Sequence, residues 1–292
     1  MGFFSKGSRI AVFAASSPVD RAALDASLAL VRGWGLVPVL GPERSRRDYL
    51  AGTDDERLAE LEWALSAPDC AGAWAARGGY GLTRILPRLD TIRLDPRPVI
   101  GFSDVTALLC ALEKRGWRQL VHGPNLHGLA THSDRVSANA LKRLLISGQI
   151  PTLRARSRGL WETSVRGRLL GGNLAVLASM AGSRDQLCCK DALLLLEDVN
   201  EPSYRLDRYL TQLHAAGCLD GVRGAILGEF EQGRQEARAR AVLTELLEGW
   251  QIPVLQAVTV GHGKRNLPFV VGSNYEMGPT ALRHLDDVDD LA

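Results

Sequence analysis

The sequence has few lysines and few aromatic residues, and its charge is almost balanced. Aromatic residues make up 6% of the chain, and 35 basic residues against 33 acidic ones leave a formal net charge of +2. Nearly all of the basic residues are arginines, since lysine occurs only at Lys6, Lys114, Lys142, Lys190 and Lys264. The stretch "LRARSRGLWETSVRGR" is rich in arginine but has little aromatic interleaving. Because the chain is also nearly neutral, it is not expected to bind nucleic acid.

The cysteines and histidines do not form a recognisable metal or disulfide pattern. The five cysteines are odd in number, scattered and without C-x-x-C spacing, which argues against a disulfide framework and against a zinc cluster. There is no H-E-x-x-H motif. His122, His127 and His132 recur every five residues, a spacing that does not hold them on one helical face. We therefore expect no metal site.

Long apolar runs and nucleotide-binding loops are also missing. No segment approaches the roughly 20 apolar residues of a membrane helix, so we expect no membrane association and a cytoplasmic location. A Walker A loop ending at Gly263-Lys264 would need glycine at Val258 and Ser or Thr at Arg265. The segment "RGGYGLTR" lacks the third glycine of a dinucleotide fingerprint. No cofactor is expected.

What the chain does contain is an alternation of strand and helix signals through its first half. Short β-like runs such as "RIAVF", "LVPVL" and "RPVIG" alternate with helical segments such as "DERLAELEWAL", which predicts a parallel sheet covered by helices. From about Ser147 the chain becomes rich in Arg, Gly and Ser. We predict an α/β fold: an N-terminal parallel-sheet domain over 1–148, a linker over 149–166, and a C-terminal β-rich α/β domain over 167–292.

Ser103, in "VIGFSDVTALL", lies at the predicted corner between a strand and a helix. Its hydroxyl could cap the helix, which is a common use of serine. It could also be a nucleophile, because a serine at such a corner projects above the sheet edge, where the next N–H and the helix dipole face a developing oxyanion. The local sequence is not G-x-S-x-G, so the corner alone leaves both interpretations open.

A serine nucleophile needs a base and an orienting acid. His122 and His262 each follow a β-like run and have neighbouring glycines; His262 is the preferred base because it lies in a loop with Gly261, Gly263 and Asn266. A purely structural turn is the alternative there. For the acid, Glu197 and Asp198 stand where the apolar strand "LLLL" ends, and a carboxylate there is partly desolvated. Either one could instead cap the strand end.

Several motifs, taken in order, resemble the LD-carboxypeptidase family of serine peptidases, the S66 family. They are "IAVFAASSPV", "YLAGTDDERLAELEWAL", "ARGGYG", "GFSDVTALL", "HGPN", "GGNLAVLASMAG", "LLLLEDVNEPSYRLDR" and "GHGKRNLPFVVG". The resemblance implies a Ser-Glu-His triad of Ser103, Glu197 and His262. It also implies an oxyanion hole formed by the backbone N–H groups of Gly79 and Asp104. Arg77, Gly78 and Asn173 are further expected substrate contacts.

The same resemblance implies a function. The muramoyltetrapeptide carboxypeptidases of the family remove the terminal D-Ala from murein tetrapeptides during peptidoglycan recycling, so the expected partner is a small peptide substrate. Family members are commonly dimers, so the expected assembly is a homodimer. A self-immunity type in the family cleaves a peptide-nucleotide or acyl-sulfamoyl adenylate instead. That activity would call for an aromatic platform for the nucleobase, for which Trp161 or Trp74 could be mistaken, and the cell-wall role is expected because it is the more frequent one in the family. The loop "GHGKRNLPFVVG" is shorter than is common in the family. A non-catalytic protein with an arginine-rich groove is a third possibility.

Overall fold

The computed structural model describes residues 2–42, 46–155, 161, 163–231 and 236–285. The chain divides into two compact units, Met1–Ile150 and Pro151–Ala292. The linker predicted over 149–166 begins at this division, and its residues 156–160 and 162 lie outside the described residues. In the described ranges, every helix is too short or too polar to cross a membrane.

The first unit is a parallel α/β domain, as the sequence predicts. Its strands are β1 (Arg9–Phe13), β2 (Val37–Leu40), β3 (Gly72–Ala75), β4 (Val99–Gly101) and β5 (Leu120–His122). Its helices are α1 (Arg21–Gly33), α2 (Asp54–Ser66), α3 (Leu82–Ile85), α4 (Val105–Lys114), α5 (Leu126–Leu129) and α6 (Arg135–Ser147), with a 3-10 helix at Leu86–Thr91. These strands lie in the order β5-β4-β3-β1-β2, and each pairs with its neighbour in parallel.

Local signals explain why the helices of this unit begin where they do. The Asp20 side chain accepts a hydrogen bond from the N–H of Ala23 at the start of α1. Helix α2 begins with a reciprocal capping box between Thr53 and Glu56, and it ends shortly before Pro68. Caps of this kind satisfy backbone N–H groups that have no partner within the helix.

The strand order creates a crevice at one place in this sheet. After β2 the chain returns to the other side of β1 to form β3, and ligands of parallel sheets bind at the carboxyl ends of the strands where the order reverses. The loops that follow β1 and β3 at this edge carry Ser16, Ser17, Gly78 and Gly79. The sequence of the unit thus directs its serine- and glycine-rich loops to one edge.

The second unit is a β-rich α/β domain, which confirms the predicted fold class. Its strands are β6 (Leu153–Arg154), β7 (Val165–Asn173), β8 (Ala192–Val199), β9 (Gly224–Glu231), β10 (Val254–Gln256), β11 (Phe269–Val271), β12 (Asn274–Met277) and β13 (Ala281–His284). Its helices are α7 (Leu174–Ser179), α8 (Ser203–Ala215) and α9 (Glu236–Gly249). The sheet order is β10-β9-β8-β7-β12-β13-β6, parallel from β10 to β7 and antiparallel beyond β7.

Strand β8 lies in the interior of this second sheet, between β9 and β7. Its residues from Ala192 to Asp198 are all buried, as expected for a strand covered on both faces, whose apolar run is continuous rather than alternating. Burial therefore extends to two consecutive acids at its end, Glu197 and Asp198. The last residue of β7, Asn173, lies directly opposite Glu197 in the β7–β8 register.

Candidate active site

Ser103 occupies a strained corner between β4 and α4. Its φ is +66°, in the left-handed region that residues other than glycine seldom adopt. Such strain is typical of functional sites and of the sharp strand-to-helix turn that exposes a nucleophile. The residue at the N-cap position of α4 is Asp104, and no side chain caps the helix. The serine hydroxyl is therefore not used as the helix cap.

Two neighbouring groups fix the backbone around this corner. The side chain of Asn125, from the "HGPN" motif, accepts from the N–H of Phe102 at 3.1 Å and donates to the carbonyl of Phe102 at 3.2 Å. Gly78 lies so close that a Cβ at this position would be 2.8 Å from Cβ and 3.1 Å from Oγ of Ser103. The glycine turn after β3 therefore lies beside the candidate nucleophile.

The carboxylate of Asp104 holds this corner to two other elements. It is buried, and its Oδ2 accepts from the hydroxyl of Ser16 at 2.6 Å and from the N–H of Leu82 at 2.9 Å. Burial raises the pKa of the Asp104 carboxyl, while these hydrogen bonds oppose the rise. The side chain of Asp104 thus links the corner to the loop after β1 and to the start of α3.

The glycine turn has its own supports. Gly79 has a φ of +105°, and the hydroxymethyl group of Ser17 fills the space that a Cβ there would need. Ser17 donates its N–H to the carbonyl of Gly78 at 3.2 Å, and its hydroxyl accepts from the N–H of Tyr80 at 3.1 Å. Within the described chain, no backbone carbonyl accepts from the N–H of Gly79 or of Asp104. That these two groups bind an oxyanion stays a prediction from the sequence.

A buried arginine that the sequence analysis missed also holds the turn. Arg57 has no exposed surface, and its Nη1 donates to the carbonyl oxygens of Ala15 and Gly81. Its Nη2 pairs with Asp54. Hydrogen bonds from Arg84 and Arg57 lower the pKa of Asp54 to about 2, so this carboxylate stays charged at neutral pH. Arg57 lies on helix α2 in the pattern of an ordinary surface charge, so no local signal could have revealed this role.

Arg77 and two histidines of this unit, His122 and His127, interact with other groups of the same unit. Arg77 is half-buried and donates from Nη1 to the carbonyl of Pro18 at 2.6 Å. Burial and the Arg77 charge lower the pKa of His127. His122 is fully buried, with its ring edge-on to Phe102 at a centroid distance of 5.9 Å. A residue with no solvent contact cannot serve as an accessible base in this state.

In the second unit, His262 and Glu197 form a hydrogen-bonded pair. The Nδ1 atom of His262 lies 2.7 Å from Oε2 of Glu197. The glutamate side chain is 0% exposed, whereas the imidazole is 17% exposed. A carboxylate in this position selects the tautomer with the proton on Nδ1, so that Nε2 presents its lone pair. This is the geometry of a general base with its orienting acid.

The loop around His262 depends on its two flanking glycines. A Cβ at Gly261, whose φ is +146°, would lie 3.1 Å from Cβ of Glu229 and 3.4 Å from Oε2 of Glu197. A Cβ at Gly263 would collide with the carboxylate of Glu229. The Glu229 side chain therefore lies along this loop, a role that its position in strand β9 did not suggest from sequence. Asn266 accepts from the N–H of Gly261 at 3.3 Å.

Asp198, the other acid at the end of β8, faces different partners. Its carboxylate accepts from Asn173 Nδ2 at 3.1 Å, from the N–H of Ala175 at 2.8 Å and from the N–H of Val199 at 2.8 Å. Asn173 in turn accepts from the N–H of Val176 at 3.1 Å. Burial and the charge of Glu197 raise the pKa of Asp198 to about 7. Of the two acids, only Glu197 is bonded to the histidine.

The two tryptophans expected as aromatic platforms differ in exposure. Trp74 is fully buried, and its Nε1 donates to the carbonyl of Pro124 at 3.0 Å, so it offers no exposed face for stacking. Trp161 is half-buried.

A metal site was not expected from the sequence. Among the described residues, no group of three or more His, Cys, Asp or Glu side chains is arranged to hold a metal ion.

Comparison with known proteins gives two family-model matches that together span most of the chain. The model of the LD-carboxypeptidase N-terminal domain matches residues 10–123, and that of the C-terminal domain matches residues 166–277. The murein tetrapeptide carboxypeptidase of Pseudomonas aeruginosa is 33% identical over 291 residues, covering 94% of this chain and 94% of the relative. The microcin C7 self-immunity protein MccF of Escherichia coli is 26% identical over 307 residues, covering 91% and 89%.

A solved structure agrees with the sequence matches. The crystal structure of muramoyltetrapeptide carboxypeptidase from Oxalobacter formigenes superposes with a TM-score of 0.82 at 27% identity. The superposition covers 96% of this chain and 99% of that chain. The similarity therefore extends over almost the full length of both chains.

Proposed function

Because this chain belongs to the LD-carboxypeptidase family, a family of murein tetrapeptide carboxypeptidases with MccF-type relatives, we propose that it is a serine carboxypeptidase. Its reaction would be hydrolysis of the L,D-peptide bond that releases the terminal D-Ala from murein tetrapeptides. This reaction would be a step of peptidoglycan recycling in the cytoplasm. The enzyme would act as a homodimer and would need no metal or other cofactor.

One observation supports this proposal most. Glu197 and His262 lie 65 residues apart in sequence, yet they form a 2.7 Å hydrogen bond around a carboxylate that has no contact with solvent. Burying an acid costs desolvation free energy that a single hydrogen bond offsets only in part, and such costly buried pairs are concentrated at functional sites. A serine with positive φ at a strand-to-helix corner is the matching nucleophile, so the chain carries candidates for all three members of a Ser-Glu-His triad.

In the proposed mechanism, Ser103 Oγ attacks the carbonyl carbon of the scissile bond while Nε2 of His262 takes the hydroxyl proton. His262 then returns the proton to the amine of D-Ala as the C–N bond breaks, leaving an acyl ester on Ser103. Water, deprotonated by the same histidine, hydrolyses the ester. Glu197 remains ionised throughout; it holds the imidazole in the required tautomer and stabilises the imidazolium.

Oxyanion stabilisation would come from the backbone N–H groups of Gly79 and Asp104. Both lie on the fixed loops around Ser103, and preorganised donors of this kind act on the transition state without the cost of reorientation. Gly78 would leave room for the substrate carbonyl beside the serine. Arg77, next to the same turn, would provide the positive charge for a substrate carboxylate.

The alternative is a self-immunity activity of the kind that MccF-type relatives carry. Such a substrate brings a nucleobase, and bases are commonly bound by stacking on an aromatic face. Trp74 is fully buried and offers no face for stacking, whereas Trp161 is half-buried. We favour the murein peptide because the murein tetrapeptide carboxypeptidase of Pseudomonas aeruginosa is more similar to this chain, at 33% identity, than MccF is, at 26%.

The deciding experiment gives the enzyme both kinds of substrate. The wild-type protein and the Ser103→Ala variant are incubated with L-Ala-D-Glu-meso-diaminopimelate-D-Ala and, separately, with an adenylated peptide, and the products are identified by mass spectrometry. We expect loss of D-Ala from the tetrapeptide with wild type and none with Ser103→Ala, whereas Ser183→Ala, a change at an exposed serine, leaves activity intact. Cleavage of the adenylated peptide alone would establish the alternative, and tetrapeptide hydrolysis by Ser103→Ala would remove Ser103 as nucleophile.

A further inference from the structure

The acid beside the candidate catalytic glutamate is fully engaged by hydrogen-bond donors. Asp198 is 3% exposed. One of its oxygens accepts from Asn173 Nδ2 and from the N–H of Val199, and the other accepts from the N–H of Ala175. Three donors converge on one side chain, so both oxygens must be acceptors. A carboxylate meets that requirement, whereas an amide would turn an NH₂ group toward one of the donors.

These contacts join the last residue of β7, the first turn of α7 and the end of β8. Asn173 is opposite Glu197 in the β7–β8 register, and its own Oδ1 accepts from the N–H of Val176. The pairing of β8 with β9 shifts register between Leu196 and Asp198, so at Glu197 the strand is paired in register on the β7 side alone. The clamp through Asp198 fixes it instead.

We propose that Asp198 and Asn173 form a positioning pair that sets the direction of the Glu197 carboxylate toward His262, and that neither residue touches the substrate. The effect on catalysis rests on the proposed function, but the effect on the Glu197–His262 hydrogen bond does not. Asn173 was expected from its motif to contact substrate, and the proposal assigns it a positioning role instead, because its amide donates to Asp198 and accepts from the N–H of Val176.

The pair offers a direct test, because its two side chains can be exchanged. In Asp198→Asn alone, an amide faces three donors. In Asn173→Asp alone, two carboxylates face each other. In the double variant, the carboxylate introduced at position 173 accepts from the N–H of Val176 and from the amide introduced at position 198, whose oxygen still accepts from the N–H of Ala175. The N–H of Val199, which shares an oxygen of Asp198 with Asn173, is the one donor that the exchange leaves facing an NH₂ group. Asp191→Asn is the matched control, since Asp191 precedes the same strand and pairs with Arg223 at the surface.

Two readouts are measured on each variant: kcat and KM with the tetrapeptide, and the NMR signal of the His262 Nδ1 proton in the absence of substrate, identified by its loss in His262→Ala. We expect each single variant to lose between about tenfold and a hundredfold in kcat with KM unchanged, and to lose or shift the proton signal. The double variant should recover part of both, because the exchange restores every hydrogen bond of the pair except the one from the N–H of Val199.

Three results would overturn the proposal. One is a single variant that keeps wild-type kcat and proton signal; another is a double variant no better than the poorer single variant. The third is a raised KM in the double variant, because Asn173 would then contact substrate. If no substrate is cleaved by the wild type, the proposed function fails, while the proton signal still decides whether the pair positions Glu197. Thermal unfolding of the double variant separates a restored clamp from a general loss of folding.

Discussion

Glu197 and His262 meet through a 2.7 Å contact between Oε2 and Nδ1, although one residue ends a central strand and the other lies in a glycine-flanked loop. The carboxylate is completely buried and the imidazole is not. The acid is thus enclosed within its unit, while part of the imidazole ring is open to solvent. An orienting acid and a general base have different requirements, and this difference in exposure meets both.

The first prediction concerns this contact. Glu197→Gln keeps the size of the side chain but removes its charge, so the imidazole loses its orienting partner and the imidazolium loses its stabilisation. We expect kcat for D-Ala release to fall by roughly 10³ to 10⁴ with little change in KM, by analogy with the loss of the acid in other serine triads. The control is Glu276→Gln, which breaks a surface pair with Arg166. A loss in the Glu197 variant no larger than in this control would contradict the role of Glu197.

The second prediction is that the three residues act as a unit. Ser103→Ala and His262→Ala should each abolish most of the activity, and the double variant should be no worse than the poorer single variant, because the base has no task once the nucleophile is gone. Initial rates of D-Ala release are measured for the two single variants and the double variant. His132→Ala, at an exposed position, controls for histidine removal. Losses that multiply would mean that the serine and the histidine work independently.

The third prediction tests the room beside the nucleophile. A methyl group at Gly78 would lie 2.8 Å from Cβ of Ser103, too close for the corner to stay in place. We expect Gly78→Ala to lower kcat by at least about a hundredfold, the usual effect of a 1 Å misplacement. Gly33→Ala is the matched control, because a Cβ there meets no atom within 4 Å. Full activity of Gly78→Ala would show that Ser103 does not need its present position.

The fourth prediction concerns pH and stability. The pKa of Asp198 is raised to about 7 from 3.8 by burial and by Glu197, against the effect of its three hydrogen bonds. The folded protein therefore binds a proton that the unfolded chain releases between these two values, so the contribution of Asp198 to stability falls as pH rises through this window. The difference in free energy of unfolding between wild type and Asp198→Asn should shrink from pH 4 to pH 7, by on the order of 4 kcal/mol at most.

Denaturant unfolding at several pH values measures this difference, with Asp191→Asn as the control. Asp191 has a lowered pKa because of Arg223, so its contribution is lost only as the pH falls below the ordinary aspartate range. The Asp191 difference should thus stay constant from pH 4 to pH 7. A constant difference for Asp198→Asn as well would mean that Asp198 is ionised throughout that range.

The sequence by itself determined the fold class and the local settings of the candidate residues. Alternating apolar runs and amphipathic helices are local patterns, and they were sufficient to predict the parallel sheet of the first unit and the β-rich second unit. The same patterns placed Ser103 at a strand-to-helix corner and Glu197 at the end of an apolar strand. The order of its motifs also identified the family, which the domain-model matches confirm.

Only the tertiary structure decided which neighbours these residues have. Glu197 and Asp198 are adjacent acids with the same local pattern, and nothing short-range distinguishes the one bonded to His262 from the one that clamps α7. Arg57 and Glu229 looked like ordinary charged residues of a helix and a strand, yet one holds the glycine turn and the other lies along the histidine loop. The physical reason is that hydrogen bonds and close contacts between residues far apart in sequence depend on strand order and register, which are set by the packing of the whole sheet.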